Sequence, residues 1–156
     1  MFEHFSDRSR MVIFLTRMDA GKRGATALEP SDLLEAIINE DQGKLARRFA
    51  GSVTRSGTMR EPEPFFSTEV ATQVLLGLNK ILPQHEPIAV SVDMAMSANL
   101  EGILNTATSL AKELQHSEVQ PLHLVAAILA EENSRPAEIL KEAGISRDTV
   151  IRALRG

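Results

Sequence analysis

Glu29-Pro30-Ser31-Asp32-Leu33-Leu34-Glu35-Ala36-Ile37-Ile38-Asn39-Glu40 is read again, 91 positions on, as Gln120-Pro121-Leu122-His123-Leu124-Val125-Ala126-Ala127-Ile128-Leu129-Ala130-Glu131. Pro30 falls on Pro121, Leu33 on Leu124, Ala36 on Ala127, Ile37 on Ile128 and Glu40 on Glu131. The match runs outward without a gap from Phe5/Met96 to Phe49/Leu140, taking in Ser6/Ser97, Ala20/Ala111 and Ala46/Ala137. Self-similarity at a fixed offset marks one duplicated supersecondary unit. Each copy is too short to bury a good core alone. Two copies packed about a pseudo-twofold axis solve that problem.

Periodicity predicts helices nearly throughout. In 98–114 the apolar residues Leu100, Ile103, Leu104, Ala107, Leu110, Ala111 and Leu114 form one stripe. Its partner, 7–21, shows Met11, Val12, Leu15 and Met18 on one face, with Phe14 off it. Ser6 and Ser97 are candidate N-caps. Pro30 and Pro121 open the second helices, where proline's missing N–H would be unpaired anyway. Third helices are expected over about 43–50 and 136–143, the latter stopped by Gly144, and fourth helices after Ser67 and Ser146. The fold expected is all-α: eight helices, as two four-helix repeats related by a pseudo-twofold axis, with no significant sheet. Repeat one spans about 1–82, a linker about 83–96, and repeat two about 97–156, together one domain. Repeat one carries 12 extra residues within Gly51–Phe66, a Gly-, Ser- and Pro-rich loop.

Composition sets the class. The chain has 156 residues, 43% hydrophobic and 24% charged, as in ordinary globular proteins. Its net charge of −4 gives no reason to expect nucleic-acid binding. Residues 1–82 balance at 11 Lys+Arg and 11 Asp+Glu, so the whole excess, 6 against 10, sits in 83–156. That acidic half is either a solvated face or a surface for a basic partner. There is no cysteine, so disulfides and thiolate chemistry are excluded. No segment reaches the roughly 18 consecutive apolar residues of a membrane span, and the N-terminus lacks a signal-peptide pattern. A cytoplasmic protein is the expectation.

No pattern of catalysis stands out. His116 and His123 straddle the turn before Pro121, and their spacing reads as accidental, with His123 bonding locally in the first turn of its helix. Ser109-Leu110-Ala111-Lys112 has the Ser-x-x-Lys spacing of some acyl-enzymes, but it lies late in an amphipathic helix without companion motifs. Gly21-Lys22-Arg23-Gly24 lacks the spacing and the strand of a phosphate loop and reads as a helix C-terminus. Glu40-Asp41 and Glu131-Glu132 read as solvated charge at helix ends. No catalytic, cofactor or metal residues are expected.

The opening Met1-Phe2-Glu3-His4-Phe5-Ser6-Asp7-Arg8-Ser9-Arg10, with Val12 and Leu15, resembles the start of ClpC-type unfoldases. Glu118–Leu129 and Glu138–Ser146 look like the second-helix motif and closing turn of the ClpB/ClpC repeat. With the duplication, the chain resembles the double Clp-N repeat of the Clp/Hsp100 N-terminal domain family. That resemblance implies a non-catalytic module, tethered above an AAA+ ATPase ring, that docks adaptor proteins or unfolded or tagged substrates. A free-standing version would be an accessory subunit or regulator that binds the Clp ATPase or protease itself. A reading from another class is a small helical enzyme or ligand-binding protein with Gly51–Phe66 as its lid. The family's hydrophobic peptide- and drug-binding groove lies near the starts of the first and fifth helices. Phe2 matches the family residue there, and Phe14, Met96 and Glu101 occupy equivalent positions with altered or shifted side chains. ClpC-type domains bind phosphoarginine through a glutamate in each second-helix motif. Ser31 and Leu122 stand at those positions here, so no phosphoarginine site of that kind is expected.

Overall fold

Serines and prolines set the helix starts. The computed structural model describes residues 2–44 and 63–156. Helix α1 is Asp7–Lys22, and its N-cap Ser6 accepts the Ser9 N–H. Helix α4 is Ala98–Glu113, and Ser97, 91 positions from Ser6, accepts the Leu100 N–H in the same way. Helices α2, Pro30–Asp41, and α5, Pro121–Ala130, carry proline in the first turn and a capping box. Ser67, Ser134 and Ser146 cap α3 (Thr68–Asn79), α6 (Arg135–Glu142) and α7 (Arg147–Arg155). Each cap satisfies one of the N–H groups that a helix start leaves unpaired. Among the described residues the fold is all-α, with these seven helices and no sheet. Residues 45–50 of the first-copy helix expected over 43–50, and 51–62 of the Gly51–Phe66 loop, lie outside the described residues.

The two copies interlock through matched backbone bonds. The Ser6 N–H donates to Val119 O at 3.0 Å, and the Val119 N–H donates to His4 O at 2.7 Å. On the other side the Ser97 N–H donates to Leu28 O and the Leu28 N–H to Ala95 O, both at 2.9 Å. Ser6/Ser97, His4/Ala95 and Leu28/Val119 are each separated by the repeat offset, so the sequence duplication reappears as a pseudo-dyad in the backbone. Each copy's entry segment is bonded to the other copy.

The core sits on α2 and α5, which touch each other. Helix α2 also packs against α1, α3, α4 and α6, and α5 against α1, α4, α6 and α7. Leu33, Leu34, Ile37, Ile38, Leu124, Val125, Ile128 and Leu129 are buried in one apolar cluster drawn from both halves. Each such side chain contributes about 1.5–3 kcal/mol of burial, an upper figure because unfolded chains already hide some surface.

Helix α1 departs from the expected stripe. Met11 is exposed, whereas Ser9, Thr16 and Asp19 are buried beside Val12 and Leu15. The buried hydroxyls are satisfied: Ser9 Oγ donates to Val119 O at 2.6 Å and Thr16 Oγ1 to Val12 O at 2.7 Å. A polar face can therefore turn inward at little cost, which an apolar count does not register. Residues 83–96 strap the copies together along α1. The His85 N–H donates to Arg23 O and the Ile88 N–H to Gly21 O, both at 2.8 Å. The Arg17 guanidinium donates to the carbonyls of Ala89 and Val92 at 3.0 and 2.6 Å.

Candidate functional site

Two clefts open where one copy's second helix begins beside the other copy's first. The larger, about 780 Å³, is bounded by Arg8 of α1, Phe65, the 115–122 segment and Leu154 of α7. The smaller, about 380 Å³, is bounded by the 25–32 segment, Ile81–Pro83, Asn99 of α4 and Ser134–Pro136. They are the same place in the two copies. Ser117 matches Thr26, Pro121 matches Pro30, Leu122 matches Ser31, and Arg8 matches Asn99 at the repeat offset. Sequence reading named one lining residue of each cleft, Ser31 and Leu122, as positions where ClpC-type domains carry a phosphoarginine-binding glutamate, but did not foresee the clefts themselves, although the duplication guarantees that any feature at the mouth of α2 has a counterpart at the mouth of α5.

The walls of the larger cleft are tied down by charge. Arg8 grips the Glu40 carboxylate with two bonds, at 2.9 and 2.8 Å, which hold its guanidinium above the ordinary arginine value. The buried Asp41 carboxylate accepts the N–H groups of Phe65 and Phe66 at 2.9 and 3.0 Å. Glu40 and Asp41 are therefore not the solvated pair expected from sequence. They anchor α1 and the 63–66 segment to the end of α2. Glu131 and Glu132 do lie exposed.

Beneath the smaller cleft, Arg23 forms ion pairs with Asp32 and Glu35, all three nearly excluded from solvent. Burial opposes the Arg23 cation, but the two carboxylates outweigh it and hold the guanidinium above its ordinary value. Burial also pushes the Glu35 carboxyl up, against the pull of Arg23. At the offset positions the second copy has Leu114, His123 and Ala126, a version of the same site without the ion pairs.

His116 and His123 meet, contrary to the sequence reading of their spacing as accidental. The His123 ring is fully buried and takes the N3 place in the α5 capping box that Asp32 takes in α2. Its Nδ1 accepts the Gln120 N–H at 2.8 Å, and its Nε2 lies 2.9 Å from His116 Nδ1. Burial first, and the His116 charge second, pull its pKa down to about 4. The folded chain therefore holds this ring neutral where the unfolded chain takes up a proton, so its stabilising effect is complete above about pH 6.5 and is lost as the pH falls toward 4. The turn that joins the rings runs from α4 to α5, and its backbone trace is not visible in residue spacing.

The expected docking residues lie elsewhere. Phe2 is half-buried, its ring 5.0 Å from that of Phe5 in an edge-on contact. Phe14 is 47% exposed on α1. Met96 is half-buried at the Leu28 bridge ahead of α4, and Glu101 is exposed in the first turn of α4. None of the four lines either cleft. No group of three or more candidate metal ligands occurs among the described residues, and no helix there is long and apolar enough to cross a membrane.

Comparison with known proteins fits this architecture. Residues 95–156 match the Clp repeat (R) N-terminal domain family. A structure from an investigation of a malarial protein secretion system superposes with a TM-score of 0.73 at 16% identity, over 97% of this chain and 92% of that one. The N-terminal domain of the caseinolytic protease associated chaperone ClpD from Arabidopsis thaliana gives 0.68 at 15% identity, over 100% and 97%. The Hsp104 N-terminal domain from Candida albicans gives 0.62 at 22% identity, over 95% and 87%. The copy that begins near Ala95 thus matches the Clp repeat N-terminal domain family, and the chain as a whole has the fold of Clp/Hsp100 N-terminal domains.

Proposed function

We infer that this chain is a non-catalytic protein-docking module of a Clp-type system, presenting adaptors or unfolded substrates to an AAA+ unfoldase. The observation that supports it most directly is the likeness in fold to the ClpD and Hsp104 N-terminal domains, over 100% and 95% of this chain. The chemistry agrees. The buried ionisable side chains of Asp32, Glu35, Asp41 and His123 are engaged by Arg23, by backbone N–H groups or by His116, in roles that hold helices together. What remains for a partner is surface: the Phe2 end of the N-terminal segment, the exposed Met11 and Phe14 on α1, and Met96 and Glu101 at the start of α4. Half-buried aromatic rings of this kind suit protein anchors.

The test is a titration of the chain with a permanently unfolded, reduced and alkylated polypeptide, read by fluorescence anisotropy. Saturable binding is expected, weakened at least about fivefold, or about 1 kcal/mol, by Phe2→Ala combined with Phe14→Asp. Failure to bind unfolded chains, in a protein that also ignores a Clp ATPase ring, would overturn the reading. Binding unchanged by the double variant would remove Phe2 and Phe14 from the docking face. In the same assay free phosphoarginine is expected to give no saturable signal up to millimolar concentration. Neither Ser31 nor Leu122 offers a carboxylate to a guanidinium, and saturation at micromolar ligand would contradict that.

A further inference from the structure

We propose that the hydrogen-bonded pair of His116 and His123 is an acid-operated latch on the turn between α4 and α5, and that a proton taken up by the pair loosens this wall of the larger cleft. The argument is one of donors and acceptors. His123 Nδ1 accepts the Gln120 N–H, so the neutral ring carries its proton on Nε2. That N–H donates to His116 Nδ1, which places the His116 proton on its own Nε2. Neither ring keeps a free acceptor nitrogen. A proton added to His123 Nδ1 faces the Gln120 N–H and breaks the α5 cap. One added to His116 Nδ1 faces the His123 N–H and separates the rings.

The same assignment rules out a metal on the pair. A ligating histidine donates its second ring N–H to an acceptor, whereas His123 Nδ1 is met by a donor. The depressed basicity of His123 follows from its burial and its neighbour.

What the latch holds is under tension. Gln115, at the exit of α4, has φ +60°, a left-handed conformation that side chains seldom adopt. Val119, three residues beyond His116, is bonded to His4, Ser6 and Ser9 of the other copy. The charged and titratable groups facing His116 are His4 from the N-terminal segment, Arg8 from α1, Asp41 from α2, Glu63 ahead of α3, Lys112 from α4 and Glu118 from the turn. Arg8 and Asp41 are already bound to Glu40 and to the Phe65 and Phe66 amides. Glu118 is the exposed carboxylate beside the ring that can receive the imidazolium once it forms. The first copy has no such device, because Asp32 caps the Glu29 N–H with a carboxylate at 2.9 Å.

That asymmetry supplies the control. Long-range 1H–15N correlation at pH 7 is expected to show the Nε2–H tautomer for both rings. Amide exchange, corrected for intrinsic rate, is expected to show the Gln120 protection factor falling at least about tenfold between pH 7 and pH 5, as uptake of one proton requires per pH unit. Glu29, its counterpart in the first copy, keeps its protection. His123→Asn retains the cap acceptor without the titration and abolishes the pH response. Should that variant not fold, His116→Gln supplies an acceptor that takes up no proton and moves the opening to lower pH. A proton on His123 Nδ1, parallel loss at Gln120 and Glu29, or an undiminished response in His123→Asn would each overturn the latch.

Discussion

Arg23→Leu is expected to destabilise the fold by about 3–5 kcal/mol, the cost of leaving a buried ion without its partner, and Glu35→Ala in the same chain is expected to return most of that loss. Arg23 is bonded to both Asp32 and Glu35, and the three side chains are almost fully buried. Removing it strands two like charges in low dielectric. The duplication shows what the alternative looks like, since the second copy fills these positions with Leu114, His123 and Ala126. Leu114 is half-buried against the core and Ala126 is fully buried. Arg23→Leu/Glu35→Ala therefore rebuilds in the first copy a solution that the same backbone already holds. Asp32 stays, because it caps the Glu29 N–H as His123 caps that of Gln120.

Urea unfolding of the three proteins at pH 7 measures the cycle, and a double variant no more stable than Arg23→Leu would refute the argument. The pH dependence has a definite sign. Burial already raises the Glu35 carboxyl, and loss of Arg23 raises it further. A carboxyl raised in the folded state stabilises below its unfolded pKa and loses that effect as the pH rises through the folded value. The deficit of Arg23→Leu relative to wild type should then narrow as the pH is lowered from 7 toward 5.

These charge clusters also mark where sequence reading stops. The helix starts were legible at Ser6, Pro30, Ser67, Ser97, Pro121 and Ser146, because a cap or a first-turn proline acts within three or four residues of itself. The pseudo-dyad was legible because a gapless offset requires matched partners, and the Ser6–Val119 and Ser97–Leu28 bonds are those partners. Arg8–Glu40, Asp41–Phe66 and His116–His123 were not legible. Each joins residues through the path of the backbone between helices, which no periodicity encodes. The clefts fall in the same category, since they are made by the meeting of one copy's turn with the other copy's helix. Met11 was assigned inward because apolar spacing cannot see that Ser9 and Thr16 satisfy their hydroxyls on nearby carbonyls.

Gly24→Gln is the second large effect, about 3 kcal/mol of destabilisation, and its logic again comes from comparing the copies. Gly24 has φ +70° just beyond α1, and its counterpart Gln115 has φ +60° just beyond α4. The left-handed turn thus belongs to the fold in both copies, and a side chain there carries a strain of about 1 kcal/mol. Strain alone does not explain the glycine, because the second copy tolerates glutamine with its side chain in solvent. The difference is the strap. In the first copy a Cβ on residue 24 would collide with the Glu86 carbonyl oxygen and the His85 backbone. The strap cannot retreat without loosening the bonds from His85 to Arg23 O and from Ile88 to Gly21 O, each worth about 0.5–1.5 kcal/mol. Gln115→Gly should do the opposite and stabilise by up to about 1 kcal/mol, since it relieves strain where nothing approaches. At about 2–4 °C per kcal/mol for a chain of this size, calorimetry resolves both changes. If Gly24→Gln melts within a degree of wild type, the strap is not seated on α1, and the two copies are joined by their core and crossed backbone bonds alone.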